Sequence, residues 1–531
     1  MSKKSNKISM ALIFVALAAA GFVLPLQPMA RPLGLIGIIP VQHEGRLKPL
    51  DAFARETLRA VSGKESWNKK SALEFFLGFA AQPASIPSFE IIRVDYDGLK
   101  DYLGLTRERK YFSLKELKPS VQNVIALARS AQEKRDKDQK PAFLEQKAEM
   151  LYTRMVTLEQ IYQGESVKLI PVAGKDSWES PYLYKGPLTD EFMSMVGVFN
   201  SGDKNLASQQ ARQWVEKVAA LSQSVRPDFL KMEFYYHQLR PFLKAWILYL
   251  LAFICLSFMG RRDMGLVLAS LGLLFHSAGL ILRSIILLRP PVSNMYETMV
   301  FMNWIIMVCA FIFFMLRRKD FFLSTAAVVS ALVMIYADLL PIDRSLDVLV
   351  PVLRSNYWLT IHVLTIMTSY GFFGLAMALG HRHLFLEAKG KFSNEARTAS
   401  DYTMVRLLQI GIITLGIGTV LGGVWANESW GRFWGWDPKE TWALITFLGY
   451  MAIMHLRYAG KLGPFGMAVS TIIGFLLVLM TWYGVNFILG RGLHSYGSGS
   501  GGIVWIVYYL VFEALFVLFV IFKKLKLFRF I

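Results

Sequence analysis

The chain has 531 residues, of which 54% are hydrophobic, and a formal charge of +19. It is too apolar for one soluble domain and long enough for a large bundle of membrane helices, so its composition excludes an ordinary soluble protein. Only two cysteines occur, Cys255 and Cys309, both inside apolar runs, which excludes a disulfide framework and a cysteine metal site.

Ten apolar runs predict an all-α integral membrane protein with about ten transmembrane helices. Each run is long enough to cross about 30 Å of hydrocarbon as a helix. The runs lie near residues 9–27, 242–259, 264–288, 298–316, 321–340, 357–380, 405–424, 441–457, 465–488 and 502–522. With ten helices, both termini lie on the same side of the membrane.

The first run belongs to a basic and then apolar N-terminal segment, residues 1–27. We interpret this segment as an uncleaved signal anchor, because no clear A-x-A cleavage site follows it. A cleaved signal peptide is the alternative.

Residues 28–240 form the one large hydrophilic block and predict a mainly helical extracytoplasmic domain. Some of its apolar residues recur at helical spacing and are interpreted as core positions. These residues are Leu151, Met155 and Leu158. His43 and His237 lack metal-ligand companions at a recognisable spacing, so we interpret them as surface or packing residues.

Residues 241–531 predict a nine-helix membrane domain whose orientation follows from its basic residues. Lysine and arginine concentrate in alternate connections, and such connections are cytoplasmic. The basic residues are Lys3, Lys4, Lys7, Arg261, Arg262, Arg317, Arg318, Lys319, Arg382, Lys389, Lys391, Arg397, Arg457, Lys461, Lys523, Lys524 and Lys526. The positive charge is therefore mainly a topology signal, and a nucleic-acid partner is not expected.

A tryptophan-rich loop, WANESWGRFWGWDPKETW (residues 425–442), joins predicted helices seven and eight on the outer face. An interfacial aromatic belt is the simpler interpretation. The density of rings among glycines favours a shaped aromatic platform instead. Trp430 and Trp434 would share a face in a helix, and Trp434 and Trp436 in an extended segment; Trp425 begins the loop.

The loop ends in a predicted helix start. Asp437, Pro438 and Glu440 fit the N-cap, N1 and N3 positions, where the two carboxylates can form a capping box. The loop should therefore enter its helix at a fixed angle.

Two histidines are predicted to lie near the outer face of the membrane, at about the same depth as the tryptophan-rich loop. His362 lies about one turn into helix six from its outer end, and His494 lies in the outer connection GRGLHSYGSGSG. Two imidazoles on opposite sides of an aromatic slot suit a six-coordinate haem iron. Zinc would instead require three or four ligands and no aromatic floor.

Other polar residues have two open interpretations. His455, in the inner half of helix eight, and His276, near the middle of helix three, are either packed hydrogen-bonding residues or ligands of a second site within the membrane. His381 and His383 are expected to be solvated in a basic cytoplasmic loop. Three outer-face cations either pair with two propionates or simply extend to the membrane surface. These cations are Arg432, Lys439 and Arg491.

Several ordered motifs resemble the CcsA/ResC family of cytochrome c biogenesis, whose members carry a tryptophan-rich WWD domain and include the System II cytochrome c synthases. The motifs are RPPVSNMYETMVFMNW (289–304), WLTIHV (358–363), WGRFWGWDPKETW (430–442), LGYMAIMHLR (448–457) and GLHSYG (492–497). The resemblance covers about residues 240–531. PVQHEGRLKPLDAFARETLRAVSGK also looks like a segment near the junction of large fused forms.

The resemblance implies a multi-pass protein of the bacterial inner membrane that moves haem b outward and attaches it to CxxCH motifs of apocytochrome c, as a haem lyase. It implies that His362 and His494 hold the outer haem and that His455 matches a membrane-embedded ligand. The fourth histidine of fused members has no counterpart here, so a CcsB-like subunit or His276 would supply it. Thioredoxin-like proteins would reduce the apocytochrome thiols.

Two rival functions are weighed. A membrane b-type dihaem electron-transfer protein would carry two histidine pairs on facing helices without an exposed tryptophan loop, so it fits poorly. A transporter without haem would use its histidines for titration or for another substrate, and it would show no Soret band.

Overall fold

The computed structural model describes residues 32–137, 139, 141–340, 342, 344–346, 355–390, 392–489 and 502–525. The described residues are mostly helical, with three short two-stranded sheets. Eight of their helices are long and apolar enough to cross a membrane. The prediction of an all-α integral membrane protein is therefore confirmed, whereas the predicted anchor in residues 1–27 lies outside the described residues.

The described chain forms two compact units that meet in sequence at Leu239 and Arg240. We call them the N-terminal unit and the membrane unit. The helices of the N-terminal unit are α1 Pro32–Gly37, α2 Leu50–Ser62, α3 Ala72–Ala81, α4 Asp97–Leu103, α5 Leu114–Leu117, α6 Val121–Asp136, α7 Phe143–Tyr162, α8 Pro187–Asn200, α9 Lys204–Leu221 and α10 Pro227–Leu239. Its strands form three antiparallel pairs, β1 Pro40–His43 with β2 Arg46–Pro49, β3 Ser66–Trp67 with β4 Lys70–Ser71, and β5 Ile92–Arg93 with β6 Tyr111–Phe112.

The core of the N-terminal unit follows the helical periodicity of its sequence. Leu151, Met155 and Leu158 on α7 are 1%, 6% and 0% exposed, so their interpretation as core residues is confirmed. His43 packs its ring edge-on against Phe53 at 5.1 Å between centroids, which makes it a packing residue. His237 is partly buried, and its Nε2 lies 3.9 Å from the Glu233 carboxylate.

The membrane unit contains nine described helices. They are α11 Pro241–Ser257, α12 Arg262–Leu287, α13 Met295–Arg317, α14 Phe321–Leu339, α15 Asn356–Ala388, α16 Asn394–Trp430, α17 Pro438–Tyr458, α18 Pro464–Leu489 and α19 Ile503–Lys524. Each coincides with a predicted run. Helix α17 has 21 residues but is not among the eight apolar spans, because its end turns carry polar groups.

Glycines allow α11 and α12 to approach closely. Gly265, Gly272 and Gly279 recur every seven residues along α12. A Cβ at Gly272 would lie 2.6 Å from the Tyr249 ring of α11. Small residues at such crossings let membrane helices pack by direct contact of their backbones. The α11–α12 pair therefore forms a tight hairpin at one side of the membrane unit.

Two membrane helices contain π-helical segments, in which backbone hydrogen bonds join residues five apart in sequence rather than four. The first is Leu359–Val363 in α15, and the second is Met480–Leu489 at the end of α18. Such segments are rare and often occur at functional sites, because the extra residue alters which side chains face a neighbour. Both segments border the same cavity.

Candidate functional site

A cavity of about 320 Å³ lies within the membrane unit. It is bordered by both π-helical segments, by the α12–α13 connection and by the tryptophan loop. Its lining includes Ser293, Met295, Thr298, Leu359, His362, Met367, Tyr370, Trp425, Trp434, Lys439, Glu440, Trp482, Asn486 and Phe487. Four of the residues predicted from sequence, His362, Trp425, Trp434 and Lys439, therefore meet at one cavity.

The orientation of His362 is fixed by α16. Its Nδ1 donates a hydrogen bond to the Gly418 carbonyl at 2.8 Å, so Nε2 carries the lone pair that could bind a metal. A carbonyl on the other ring nitrogen is a common support for a metal-binding imidazole. Gly422 lies against the ring, and a Cβ there would come within 2.7 Å of His362 Cε1. The close packing of α15 on α16 thus determines where the imidazole points.

Trp358 and Trp425 form a stacked aromatic pair, and this pairing was not predicted from the sequence. Trp358 stacks on Trp425 at an interplanar angle of 10° and a centroid separation of 6.5 Å. The Trp358 Nε1 donates to Glu428 at 2.8 Å, which fixes the buried indole. His362 meets Trp425 edge to face at 5.7 Å. The imidazole and the stacked indoles form one ordered cluster.

The other predicted tryptophans are arranged differently. Trp430 is the last residue of α16, and Gly431 ends that helix in the left-handed conformation. Trp434 faces the cavity, whereas Trp436 is 70% exposed and adopts a positive φ of 56°. Trp434 and Trp436 are nearly perpendicular, at 89°. The expected shared face of these two rings is therefore absent.

The predicted start of α17 is confirmed. Asp437 is the N-cap, Pro438 follows it, and Glu440 completes the capping box. Glu440 also accepts a hydrogen bond from the Gly435 backbone N–H at 2.8 Å. One carboxylate thus fixes both the helix start and the end of the tryptophan loop.

The predicted cations separate into two groups. Lys439 borders the cavity, and its Nζ donates to Asn486 Oδ1 at 3.3 Å. Arg432 instead pairs with Glu440 at 3.3 Å and lies over the Trp430 ring at 5.9 Å. The structure therefore favours Lys439 over Arg432 as a partner for an anion in the cavity. Arg491 and His494 lie outside the described residues.

A buried ion pair supports the cavity wall at the α12–α13 connection. Arg283 Nε donates to Glu297 at 2.7 Å, and both side chains are at most 2% exposed. Glu297 also accepts from the Ser293 backbone N–H at 2.7 Å. Arg283 further donates to the Arg344 carbonyl at 3.1 Å. These bonds hold Ser293, which lines the cavity, in place.

His276 is a hydrogen-bonded core residue. Its Nε2 lies 3.0 Å from the Val300 carbonyl, which can only accept, so Nε2 carries the proton. Its Nδ1 then accepts from the Tyr249 hydroxyl at 3.1 Å. Both ring nitrogens are used and the residue is fully buried. Both hydrogen bonds favour the interpretation of His276 as a packed residue, and its role as a metal ligand stays a prediction.

The remaining histidines also differ in their surroundings. His455 is exposed on α17, and its Nδ1 donates to the Met451 carbonyl at 2.7 Å. The expectation that His381 and His383 are solvated is wrong. His381 Nε2 lies 2.8 Å from the carboxylate of Glu513, and His383 is fully buried. Both belong to α15 rather than to a loop, because the helix continues past the apolar run.

Trp358, which stacks on Trp425, and two residues that line the cavity, Trp482 and Asn486, were not predicted from the sequence. Trp358 lies inside the quoted motif WLTIHV, and its spacing of four from His362 could have indicated a shared helix face. Trp482 and Asn486 share the same spacing within the second π-helical segment. Trp482 Nε1 donates to Thr298 at 3.0 Å, a contact between distant segments that no local pattern shows.

The fold and the cavity define a multi-pass membrane protein that presents a histidine, two indoles and a cation to one cavity. Residues 292–494 match the model of the cytochrome c assembly protein family. CcsA of Panax ginseng is 32% identical over 250 residues, which are 39% of this chain and 78% of that protein. CcsA of Guillardia theta is 35% identical over 234 residues, or 39% and 76%. The chain belongs to this family of cytochrome c biogenesis proteins.

A longer relative matches both units. Protein NrfI of Wolinella succinogenes is 32% identical over 503 residues, which are 86% of this chain. The match covers 53% of the length of NrfI, so the relative is longer than this chain. The similarity covers the N-terminal unit as well as the membrane unit.

Proposed function

We propose that this cytochrome c biogenesis protein moves haem b across the bacterial inner membrane and attaches it to CxxCH motifs of apocytochrome c. The observation that supports this proposal best is the placement of His362. Its Nδ1 is bonded to a carbonyl and its ring lies beside stacked indoles at the cavity wall. An imidazole with this support suits iron, and aromatic walls suit a porphyrin.

In the proposed outer site, His362 and His494 bind the haem iron from opposite faces. Trp425 and Trp434 contact the ring, and Lys439 pairs with a propionate. Trp430, Arg432, Trp436 and Asp437 shape the loop around it rather than line the cavity, and Arg491 lies beside His494 in sequence. The face of the cavity that the positive-inside pattern places outside would receive the apocytochrome.

The proposed reaction needs little acid–base chemistry. Each cysteine S–H adds across one haem vinyl group, so that an S–C bond forms and the hydrogen ends on the adjacent vinyl carbon. No oxidant is consumed. The protein's role is to place the vinyl groups and the iron relative to the incoming CxxCH segment and to exclude competing oxidation. Thioredoxin-like proteins would keep the cysteines reduced.

An inner site would use His455 together with a histidine of a CcsB-like subunit. His455 is suited to this role because its Nδ1 is bonded to Met451, which leaves Nε2 as the ligating nitrogen on an exposed helix face. His276 could provide the second ligand only by breaking at least one of its two hydrogen bonds. A partner subunit is therefore the better source.

The test is to express the chain with and without a CcsB-like partner and to measure the Soret spectrum and attachment to a CxxCH reporter. His362→Ala should weaken outer haem binding and attachment, and His494→Ala should do the same. Thr360→Ala is the matched control, since this exposed residue lies in the same π-helical segment. Full attachment and unchanged spectra in both histidine variants would exclude the ligand assignment.

A further inference from the structure

Four basic side chains gather where three helices of the membrane unit meet. Arg382 and His383 lie near the end of α15, Arg397 lies in the first turns of α16, and Lys524 is the last residue of α19. Arg397 and Lys524 share the Glu387 carboxylate, Arg397 and His383 share the Phe392 ring, and Arg382 precedes His383 on α15. We call these four basic side chains the inner-end basic cluster.

The cluster has more positive than negative charge. Arg397 Nη2 lies 3.0 Å from one oxygen of Glu387, and Lys524 Nζ lies 3.7 Å from the other. The Arg382 guanidinium instead lies 4.3 Å from the centre of the Phe321 ring. In the described part of the chain, the ion pairs of these three cations involve one carboxylate. The site therefore has charge available for a further anion.

Three nitrogen atoms of the cluster are buried without a hydrogen-bond partner among the described residues. The atoms are Arg382 Nη1, His383 Nε2 and Arg397 Nε. His383 is 0% exposed, and its Nδ1 lies 3.3 Å from the hydroxyl of Ser400. Buried polar groups in native proteins are nearly always hydrogen-bonded, because leaving them unpaired is costly. Glu387 Oε2 is also buried without a hydrogen bond, 3.0 Å from Arg397 Nη2, so one carboxylate faces three cations and does not satisfy these nitrogen atoms.

Aromatic rings surround the cluster. The Phe392 ring meets His383 edge to face at 4.7 Å, and the Lys524 ammonium lies 3.7 Å from the centre of the Phe465 ring. Phe385, one turn away on α15, is 49% exposed. An anion with an attached apolar body would satisfy both the donors and the rings. Basic pockets between membrane helices bind lipid headgroups in this way.

We propose that the inner-end basic cluster binds the anionic head of an amphiphile, a phosphate or a carboxylate, with the apolar body against the neighbouring rings. The positive-inside pattern places the cluster on the cytoplasmic face. A phospholipid phosphate and the propionates of haem both have this chemistry. The phospholipid case is independent of haem handling, whereas the haem case would make the cluster an entry point for the cargo.

The test uses the full chain in nanodiscs. Arg382→Gln combined with Arg397→Gln removes two of the donors. Arg317→Gln combined with Arg406→Gln is the matched control, because it removes two charges that lie over the Tyr402 ring at 4.9 and 5.0 Å. Native mass spectrometry measures retention of phosphatidylglycerol against phosphatidylcholine. Titrations with haem and with haem dimethyl ester use the His362→Ala background, so that the cavity does not dominate.

The cluster variant should lose about tenfold in affinity for at least one of the two acids, because each lost contact is a charge-assisted hydrogen bond. The control should stay within about twofold. A loss confined to phosphatidylglycerol identifies a lipid. A loss for haem but not for its dimethyl ester identifies propionates.

Lys524→Gln gives a second, milder test, since this side chain is 45% exposed and its loss should not disturb folding. It should weaken binding of the same ligand. Equal losses in the cluster variant and the control, or no loss for either acid, would overturn the proposal. Failure of the haem arm alone would leave the lipid assignment intact, and neither outcome depends on attachment to apocytochrome.

Discussion

At the scale of single residues, the position of His362 depends on a glycine that carries no functional group. Gly422 leaves room for the imidazole, and the Gly418 carbonyl one turn earlier accepts a hydrogen bond from its Nδ1. The sequence could identify His362 as a candidate from its depth near a tryptophan loop. It could not show the ring's orientation, because this depends on how α15 packs against α16.

Gly422→Ala should therefore weaken haem binding without touching the ligand itself. The added Cβ would lie 2.7 Å from His362 Cε1 and 3.1 Å from Nδ1, so the ring must shift. Loss of such support typically reduces metal affinity about 10–100-fold. Haem titration with Soret detection measures the change. Gly416→Ala, whose Cβ meets only the Phe447 ring edge at 3.1 Å, is the control; identical titrations for both variants would contradict the positioning role.

Substitutions can also distinguish the role of Lys439 from that of Arg432. Lys439→Gln should reduce affinity for haem about tenfold, because a charge-assisted contact with a propionate is lost. The same variant should bind haem dimethyl ester as the unmodified protein does. Arg432→Gln should change neither affinity, since Arg432 pairs with Glu440. An equal effect of Lys439→Gln on both porphyrins would show that the lysine contacts no propionate.

At the scale of elements, the apolar runs predicted every described helix of the membrane unit, because a span needs about 20 apolar residues and little else. The cap at Asp437 was equally local and was predicted from three residues. The two π-helical segments were not predicted. Their wider turns depend on contacts between helices, and the sequence pattern of one segment contains no signal for them.

The buried Arg283–Glu297 ion pair should stabilise the connection between α12 and α13. Removing one partner with Arg283→Met leaves a buried carboxylate unpaired, which should cost about 3–5 kcal/mol and lower the Tm of the detergent-solubilised chain. Arg283→Met combined with Glu297→Leu should recover much of that loss, because no buried charge remains. Thermal unfolding followed by circular dichroism compares the variants. A double variant no more stable than the single one would argue against the ion pair as the cause.

In the N-terminal unit, Glu145 joins α6 to α7. Lys134 and Ser130 donate to its carboxylate at 2.6 and 2.7 Å, and the Ala142 backbone N–H donates at 2.7 Å. The hydrogen bond from Lys134, together with the others, lowers the pKa of Glu145 to about 2. The stabilisation is therefore fully present above the unfolded carboxyl pKa of about 4.3 and is lost as the pH falls towards 2.

Protection of the α6 and α7 amides against hydrogen exchange, measured as the ratio of the intrinsic to the observed rate, should consequently fall between pH 5 and pH 3 in the full chain, through a local opening. Glu145→Gln should exchange faster already at pH 7, by about tenfold, and should lose this acid response. Glu149→Gln, one turn further along α7, removes a more exposed pair with Arg135 and serves as the control. An acid response that persists in Glu145→Gln would assign it to another carboxylate.

At the scale of the whole molecule, two compact units share one chain, and both are similar to NrfI. Residue composition separated an apolar part from a hydrophilic part, and helical periodicity predicted core residues on α7. Composition could not show the strand pairs β1–β2, β3–β4 and β5–β6, because strands of two to four residues are too short to show an alternating pattern. Nor could it show which of the described histidines are buried, paired or exposed, since that depends on neighbours distant in sequence.

The wide turn in α15 has a consequence for how the site can change. Each residue advances an α-helix by about 100°. Removal of one residue such as Thr360 would therefore return the turn to regular α-helical geometry and rotate Trp358 about the helix axis. His362 would keep its orientation relative to the helix that follows it. The orientation of the indole stack can therefore be changed separately from that of the imidazole by inserting or deleting a single codon. Changes in chain length within this short stretch would adjust the site where point substitutions would not.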